Sequence, residues 1–128
     1  MSKKIISTNK APQAIGPYSQ AVQAGPLLFV SGQIAIDPAT GDLKLGDIQS
    51  QTRLIMENIQ TILEEAGVSL DSVVKTTIFM KDMSDFAAVN EAYGSYFKKA
   101  PPARAAVEVA ALPKGVGVEI EAIAFLGE

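Results

Sequence analysis

The amino-acid sequence predicts an α+β domain, one mixed sheet with two helices on a single face. Three observations lead to it. Asp47 to Ala66 sets Ile48, Ile55, Ile59, Ile62, Leu63 and Ala66 at helical spacing. Val73 to Met80 is a run rich in β-branched residues, the composition of a strand. In the last quarter, Pro101 to Ala110 and Val118 to Ala124 alternate small or branched apolar residues with other types, as strands do when one face is buried.

The elements follow in order. Lys4–Ser7 is a short strand, and Ala11–Tyr18, with two prolines and a glycine, is a structured loop. Gln20–Ala24 and Leu27–Ser31 are strands parted by the turn dipeptide Gly25-Pro26, and Gln33–Ile36 continues or restarts the second after Gly32. Asp37 to Asp42, with Pro38 and Gly41, is a turn cluster. Asp47 can cap the first helix and Gly67 can take its C′ position. Ser84 or Asp85 caps a second helix to about Lys98, with Phe86, Val89, Tyr93 and Phe97 along one face. Pro101-Pro102 ends that helix and two strands close the chain.

A strand, a helix of this length and a further strand make a right-handed parallel crossover. The sheet therefore keeps both helices on one side and leaves its other face to water or to partner subunits.

The 128 residues fit one domain, 1–128, of the commonest size. Hydrophobic residues make up 48% and charged residues 20%, with a mean hydropathy of +0.20, so the uncovered face is expected to be hidden by association. A net charge of −3 argues against non-specific binding to nucleic acid or to anionic membranes. No apolar run approaches the roughly 18 residues that span a bilayer. The N-terminal Met1-Ser2-Lys3-Lys4 leads into no long apolar stretch, and there is no cysteine for a disulfide framework. The expectation is a soluble, cytoplasmic protein.

The chain has no cysteine, no histidine and no tryptophan. Thiol nucleophiles, Ser-His-Asp triads, imidazole bases and Cys/His zinc sites are excluded together. The clustered acids of a calcium loop are also missing, so no metal or other cofactor is expected. The tools left are Arg, Glu, Tyr, Ser, Lys and backbone groups.

Arg104 follows Pro101-Pro102-Ala103, which stiffens its approach. Its planar fork can bind a carboxylate or phosphate, or it can make an interface salt bridge. Glu119 and Glu121 share one strand face by period-two spacing. Each reads as a solvated residue unless Glu119 meets Arg104 at a shared ligand. Tyr18 can offer its phenol to a pocket or pack its own loop. Ser31-Gly32 can present a hydroxyl and an accessible N–H, or mark a β-bulge. Asn90, mid-helix, reads first as a residue that satisfies backbone. Gly115-Val116-Gly117 lacks the strand–turn–helix setting of a phosphate loop, and Lys98-Lys99 is too short for a nucleic-acid patch.

Taken together, Ala14-Ile15-Gly16-Pro17-Tyr18-Ser19-Gln20-Ala21, Phe29-Val30-Ser31-Gly32-Gln33-Ile34, Val74-Lys75-Thr76-Thr77-Ile78-Phe79, Phe86-Ala87-Ala88-Val89-Asn90 and the Pro102–Ala124 block resemble the Rid (YjgF-type) family over essentially the whole chain. Arg104 with Glu119 resembles its RidA-type deaminase subgroup. The resemblance implies a chorismate-mutase-like fold with a six-stranded mixed sheet, and a homotrimer with clefts between subunits. It implies hydrolysis of enamine/imine intermediates (2-aminoacrylate/2-iminopropanoate and 2-iminobutanoate) to 2-keto acids and ammonia, without a cofactor. It also implies that Arg104 grips the substrate carboxylate and Glu119 activates water. Tyr18, Ser31, Gly32 and Asn90 line the cleft, and Ala106 offers its backbone carbonyl to the imine nitrogen. Many relatives carry cysteine where this chain has Ala106; a backbone role survives that change. The alternative is a non-catalytic trimer that binds small 2-keto carboxylates. A ribonuclease reading fits poorly with the acidic charge and the absent histidine.

Overall fold

The computed structural model describes residues 2–127, so Met1 and Glu128, the two ends of the expected domain, lie outside the described residues. Six strands form one mixed sheet: β1 (Lys4–Ile6), β2 (Ala21–Ala24), β3 (Leu27–Gln33), β4 (Val73–Met80), β5 (Ala103–Glu108) and β6 (Val118–Phe125). Their order across the sheet is β1-β2-β3-β6-β4-β5. Two α-helices, α1 (Ile48–Glu65) and α2 (Phe86–Gly94), complete the α+β architecture.

The expected crossover takes a particular form. β3 and β4 are each antiparallel to β6, so they run the same way with β6 seated between them. Adjacent parallel pairing falls instead on β4 and β5, joined through α2. The hairpin β2–β3 turns at Gly25, whose φ of 59° a side chain would strain.

Helix α1 forms as its sequence dictates. Asp47 Oδ1 accepts the Ser50 N–H at 2.8 Å, which holds the Asp47 carboxyl below its ordinary value. At the other end Gly67 takes φ 84°, and the Val68 N–H closes on the Leu63 carbonyl at 3.0 Å. Ile55, Met56, Ile59, Ile62 and Leu63 are buried against Leu28, Ile78, Ile120 and Ala124 of the sheet. Truncating one of these large side chains to alanine should cost about 2–5 kcal/mol. Gly117 lets α1 approach, because a Cβ there would stand 2.7 Å from Ile48 Cδ1.

Two boundaries differ by more than two residues from the sequence expectation. Helix α2 ends at Gly94 rather than near Lys98: Ser95 Oγ donates to the Ala92 carbonyl at 2.7 Å and the chain continues in turns. Gly94 and Ser95 are weak helix formers, and that local chemistry outweighs the apolar spacing of Phe97. Gln33–Ile36 does not extend as a strand beyond Gln33; Ile36 makes only an isolated bridge to Leu43, and its carbonyl accepts from Asn58 Nδ2 at 2.9 Å.

The face away from the helices carries Ile5, Val22, Phe29 and Ile123 in register across β1, β2, β3 and β6. Ile5, Phe29, Val107 and Phe125 are exposed. Among the described residues no helix is long and apolar enough to cross a membrane.

Candidate active site

Strand β3 carries a bulge. Val30 registers with Ala122 and Gln33 with Ile120, so three steps on β3 match two on β6, with Ser31 and Gly32 in the gap. The bulge reading of Ser31-Gly32 thus holds, and both residues line a cavity. That cavity, about 510 Å³, is lined by Tyr18, Ser31, Gly32 and Glu119 among others. Ser31 Oγ donates to the Ser19 carbonyl at 2.6 Å and its N–H to the Gln20 carbonyl at 2.9 Å, tying the Tyr18 loop to the strand. The hydroxyl proton is thereby engaged, while its oxygen still has lone pairs to accept with. Tyr18 is half exposed beside Gly16 and lines the same cavity.

Glu119 alternates out of the core between buried Val118 and Ile120 and lies against Gly32. A Cβ on residue 32 would meet Glu119 Oε2 at 2.0 Å, so the carboxylate occupies the space that glycine leaves open. Burial pushes the Glu119 carboxyl above its ordinary value, and the neighbouring Glu121 charge adds to the rise. Period-two spacing accounts for that pair: Glu121 sits on the same face, exposed.

Arg104, Asn90 and Ala106 gather elsewhere. Arg104 Nη1 donates to Asn90 Oδ1 at 2.5 Å. Arg104 and Asn90 line a second hollow of about 350 Å³ with Tyr93 and Pro102. Asn90 therefore satisfies a side chain rather than backbone. Ala106 registers with buried Ile78 and lies on the same face as Arg104. Val109 donates its N–H to the Met80 carbonyl at 2.9 Å, so by strand alternation Arg104, Ala106 and Glu108 turn their N–H and C=O groups to the open edge. The Ala106 carbonyl is thus available to a donor from outside the sheet.

Within one chain these two groups do not meet. Arg104 registers with Thr76, whose hydroxyl is bonded to Tyr93 of α2, so Arg104 is on the helix side. Glu119 registers with Phe79, one position over to the other face. Strand β4 lies between β6 and β5. A ligand that touches both residues needs two chains.

The sequence reading did not single out Ile15, Ile34, Pro113 and Lys114, which also line the larger cavity. Lys114 has a left-handed backbone, φ 57°, in the loop before β6. Its signal was the Pro113-Lys114-Gly115 turn composition, legible as a turn but not as a cavity wall. Among the described residues no group of three or more Asp or Glu gathers as metal ligands do.

The six-stranded mixed sheet with its two helices matches the fold of solved Rid proteins. Residues 8–126 match the Endoribonuclease L-PSP family, and the chain belongs to it. It is similar to a RutC family protein of Pyrococcus abyssi, 57% identical over 125 residues that cover 98% of each chain. It is also similar to the 2-iminobutanoate/2-iminopropanoate deaminase of Mus musculus, 51% identical over 98% of this chain and 93% of that one. The crystal structure of E. coli TdcF with bound serine matches with a TM-score of 0.91 at 47% identity, over 95% of this chain and 98% of that one.

Proposed function

We propose that this protein is a RidA-type deaminase, hydrolysing 2-aminoacrylate/2-iminopropanoate and 2-iminobutanoate to 2-keto acids and ammonia. The observation that carries the reading is Glu119, a half-buried carboxylate with a raised pKa, held over Gly32 in a cavity. A carboxylate of raised pKa is a better proton acceptor near neutral pH than an ordinary one. The relative from Mus musculus bears the name of this activity, and a neighbour structure holds an amino acid.

The chain acts as a homotrimer in this reading. Arg104 and Glu119 sit on opposite faces, so the contact that joins them sets one patch of a subunit against a different patch of the next. Such head-to-tail contacts close into a ring when the rotation allows. The exposed Phe29, Val107 and Phe125 on the uncovered sheet face supply apolar surface for it.

In the cleft so formed, Arg104 grips the substrate carboxylate through donors that Asn90 leaves free. The Ala106 carbonyl accepts a hydrogen bond from the imine N–H. Glu119 takes a proton from water as the oxygen attacks the C=N carbon, and that proton passes to nitrogen. Glu119 then carries the carbinolamine's hydroxyl proton to its amino group, and the C–N bond breaks to release ammonia as the keto group forms. Anchoring, a placed water and one proton shuttle suffice for so labile a bond.

The test generates the imine with a serine/threonine dehydratase and follows keto acid appearance with and without this protein. Faster appearance is expected. An unchanged rate, from protein that sediments as a trimer, would leave only the binding of 2-keto carboxylates.

A further inference from the structure

We propose that Phe86 and Tyr93 are positioning residues that set the Arg104 guanidinium in place before a ligand arrives. The inference rests on the reading of Arg104 as the carboxylate anchor. Phe86, Asn90 and Tyr93 stand at i, i+4 and i+7 on α2, one stripe of the helix. Arg104 Cζ lies 5.5 Å from the Phe86 ring centroid and 5.4 Å from that of Tyr93. Both distances are within the range at which a cation is drawn to an aromatic face. Asn90 takes Nη1 from the third point of the stripe.

The cradle is itself fixed. Tyr93 is buried, its hydroxyl bonded to Thr76 at 2.6 Å and its ring tilted against Phe97 with centroids 4.9 Å apart. Thr76 is also the register partner of Arg104. The strand residue opposite the arginine thus also holds the ring under its side chain. Burial pushes the Tyr93 phenol up, which keeps it protonated and able to share that hydrogen bond.

This arrangement leaves Arg104 exposed to solvent yet not free to wander. An arginine has five N–H donors in a rigid fork. Asn90 takes one, the rings lie against the guanidinium, and the remaining donors are left for a planar anion. Lysine in the same place would keep a charge on the rings but lose the fork.

The experiment measures 2-oxobutanoate binding by calorimetry, with KM and kcat for the dehydratase-generated imine, on the full chain. Phe86→Leu removes one ring at a half-buried position, Phe86→Tyr restores it, and Arg104→Ala is the reference. In Phe86→Leu the Kd and KM should rise together by roughly 3- to 30-fold, with kcat within about twofold, because the proton-transfer side is untouched. Phe86→Tyr should return both near wild type. A ring needed only for packing would predict a lowered thermal midpoint with Kd and KM unchanged, and that result overturns the proposal. So does a fall in kcat at constant Kd. If Arg104→Ala binds 2-oxobutanoate as wild type does, the anchor reading falls and the positioning role falls with it. If Arg104→Ala loses binding while folded Phe86→Leu keeps it, the positioning role alone is overturned. Should Phe86→Leu fail to fold, Tyr93→Phe decides. It keeps the ring but removes the bond to Thr76 that fixes the cradle, so the proposal requires Kd and KM to rise together with kcat within about twofold, and unchanged binding in folded Tyr93→Phe overturns it.

Discussion

Adding a single methyl group at Gly32 should separate catalysis from folding. A Cβ there would stand 2.0 Å from Glu119 Oε2, 2.9 Å from Cδ and 3.2 Å from Cγ. Going from 2.0 Å to the 3.4 Å of an ordinary contact requires the carboxylate oxygen to retreat by about 1.4 Å. The backbone is no obstacle, since Gly32 is not among the glycines of positive φ. The colliding atoms are the end of a flexible side chain. Gly→Ala at a compatible backbone stabilises by about 0.4–1 kcal/mol through the unfolded chain. Moving Glu119 off its rotamer costs about 0.5–1.5 kcal/mol, so the two nearly cancel. Catalysis has no such offset, because a displacement of about 1 Å in a reacting group can lower the rate about 10²-fold. Turnover of the dehydratase-generated imine should therefore fall about that far. The thermal midpoint and the sedimentation of Gly32→Ala should stay close to wild type. Wild-type turnover in a folded Gly32→Ala would refute the placing of Glu119 at the reacting atoms.

Other outcomes follow from the same geometry. Glu119→Gln keeps shape and removes the base, so turnover should drop roughly 10²–10⁴-fold while calorimetry shows 2-oxobutanoate still bound; unchanged turnover would favour the binding alternative. Because the Glu119 pKa is raised on folding, its contribution to stability is greatest below the unfolded carboxylate value and is lost as pH rises through the folded one. Turnover should climb over that same interval as the base ionises, and Glu119→Gln should flatten both profiles, read by thermal melts and by pH–rate curves. Arg104→Ala removes a charge-assisted contact worth about 1.5–3 kcal/mol, and Arg104→Lys should recover only part of the affinity for 2-oxobutanoate. Gln20→Ala should lower stability by about 1–3 kcal/mol in denaturant titrations. It leaves the Thr8 N–H and the Pro12 carbonyl, each 2.7 Å from the Gln20 amide, without their partner.

Local chemistry made much of the fold legible. Asp47 and Gly67 bracket α1 because a cap depends on the Asp47 side chain and a left-handed stop on the missing Cβ of Gly67, and the stripe from Ile48 to Ala66 needs only its period. The alternation in β6 told which residues face the core, and with it that Glu119 and Glu121 share the other face. The resemblance of their flanking motifs also named the residues of both halves of the proposed site. It could not place β6 between β3 and β4, since pairing partners distant in the chain are chosen by packing rather than by neighbours in sequence. That choice sets Arg104 on the helix side and Glu119 on the other. From spacing alone Phe86, Val89, Tyr93 and Phe97 read only as one stripe of α2. Only the tertiary structure, by bringing the edge strand over Phe86 and Tyr93, decided that part of that stripe holds an arginine.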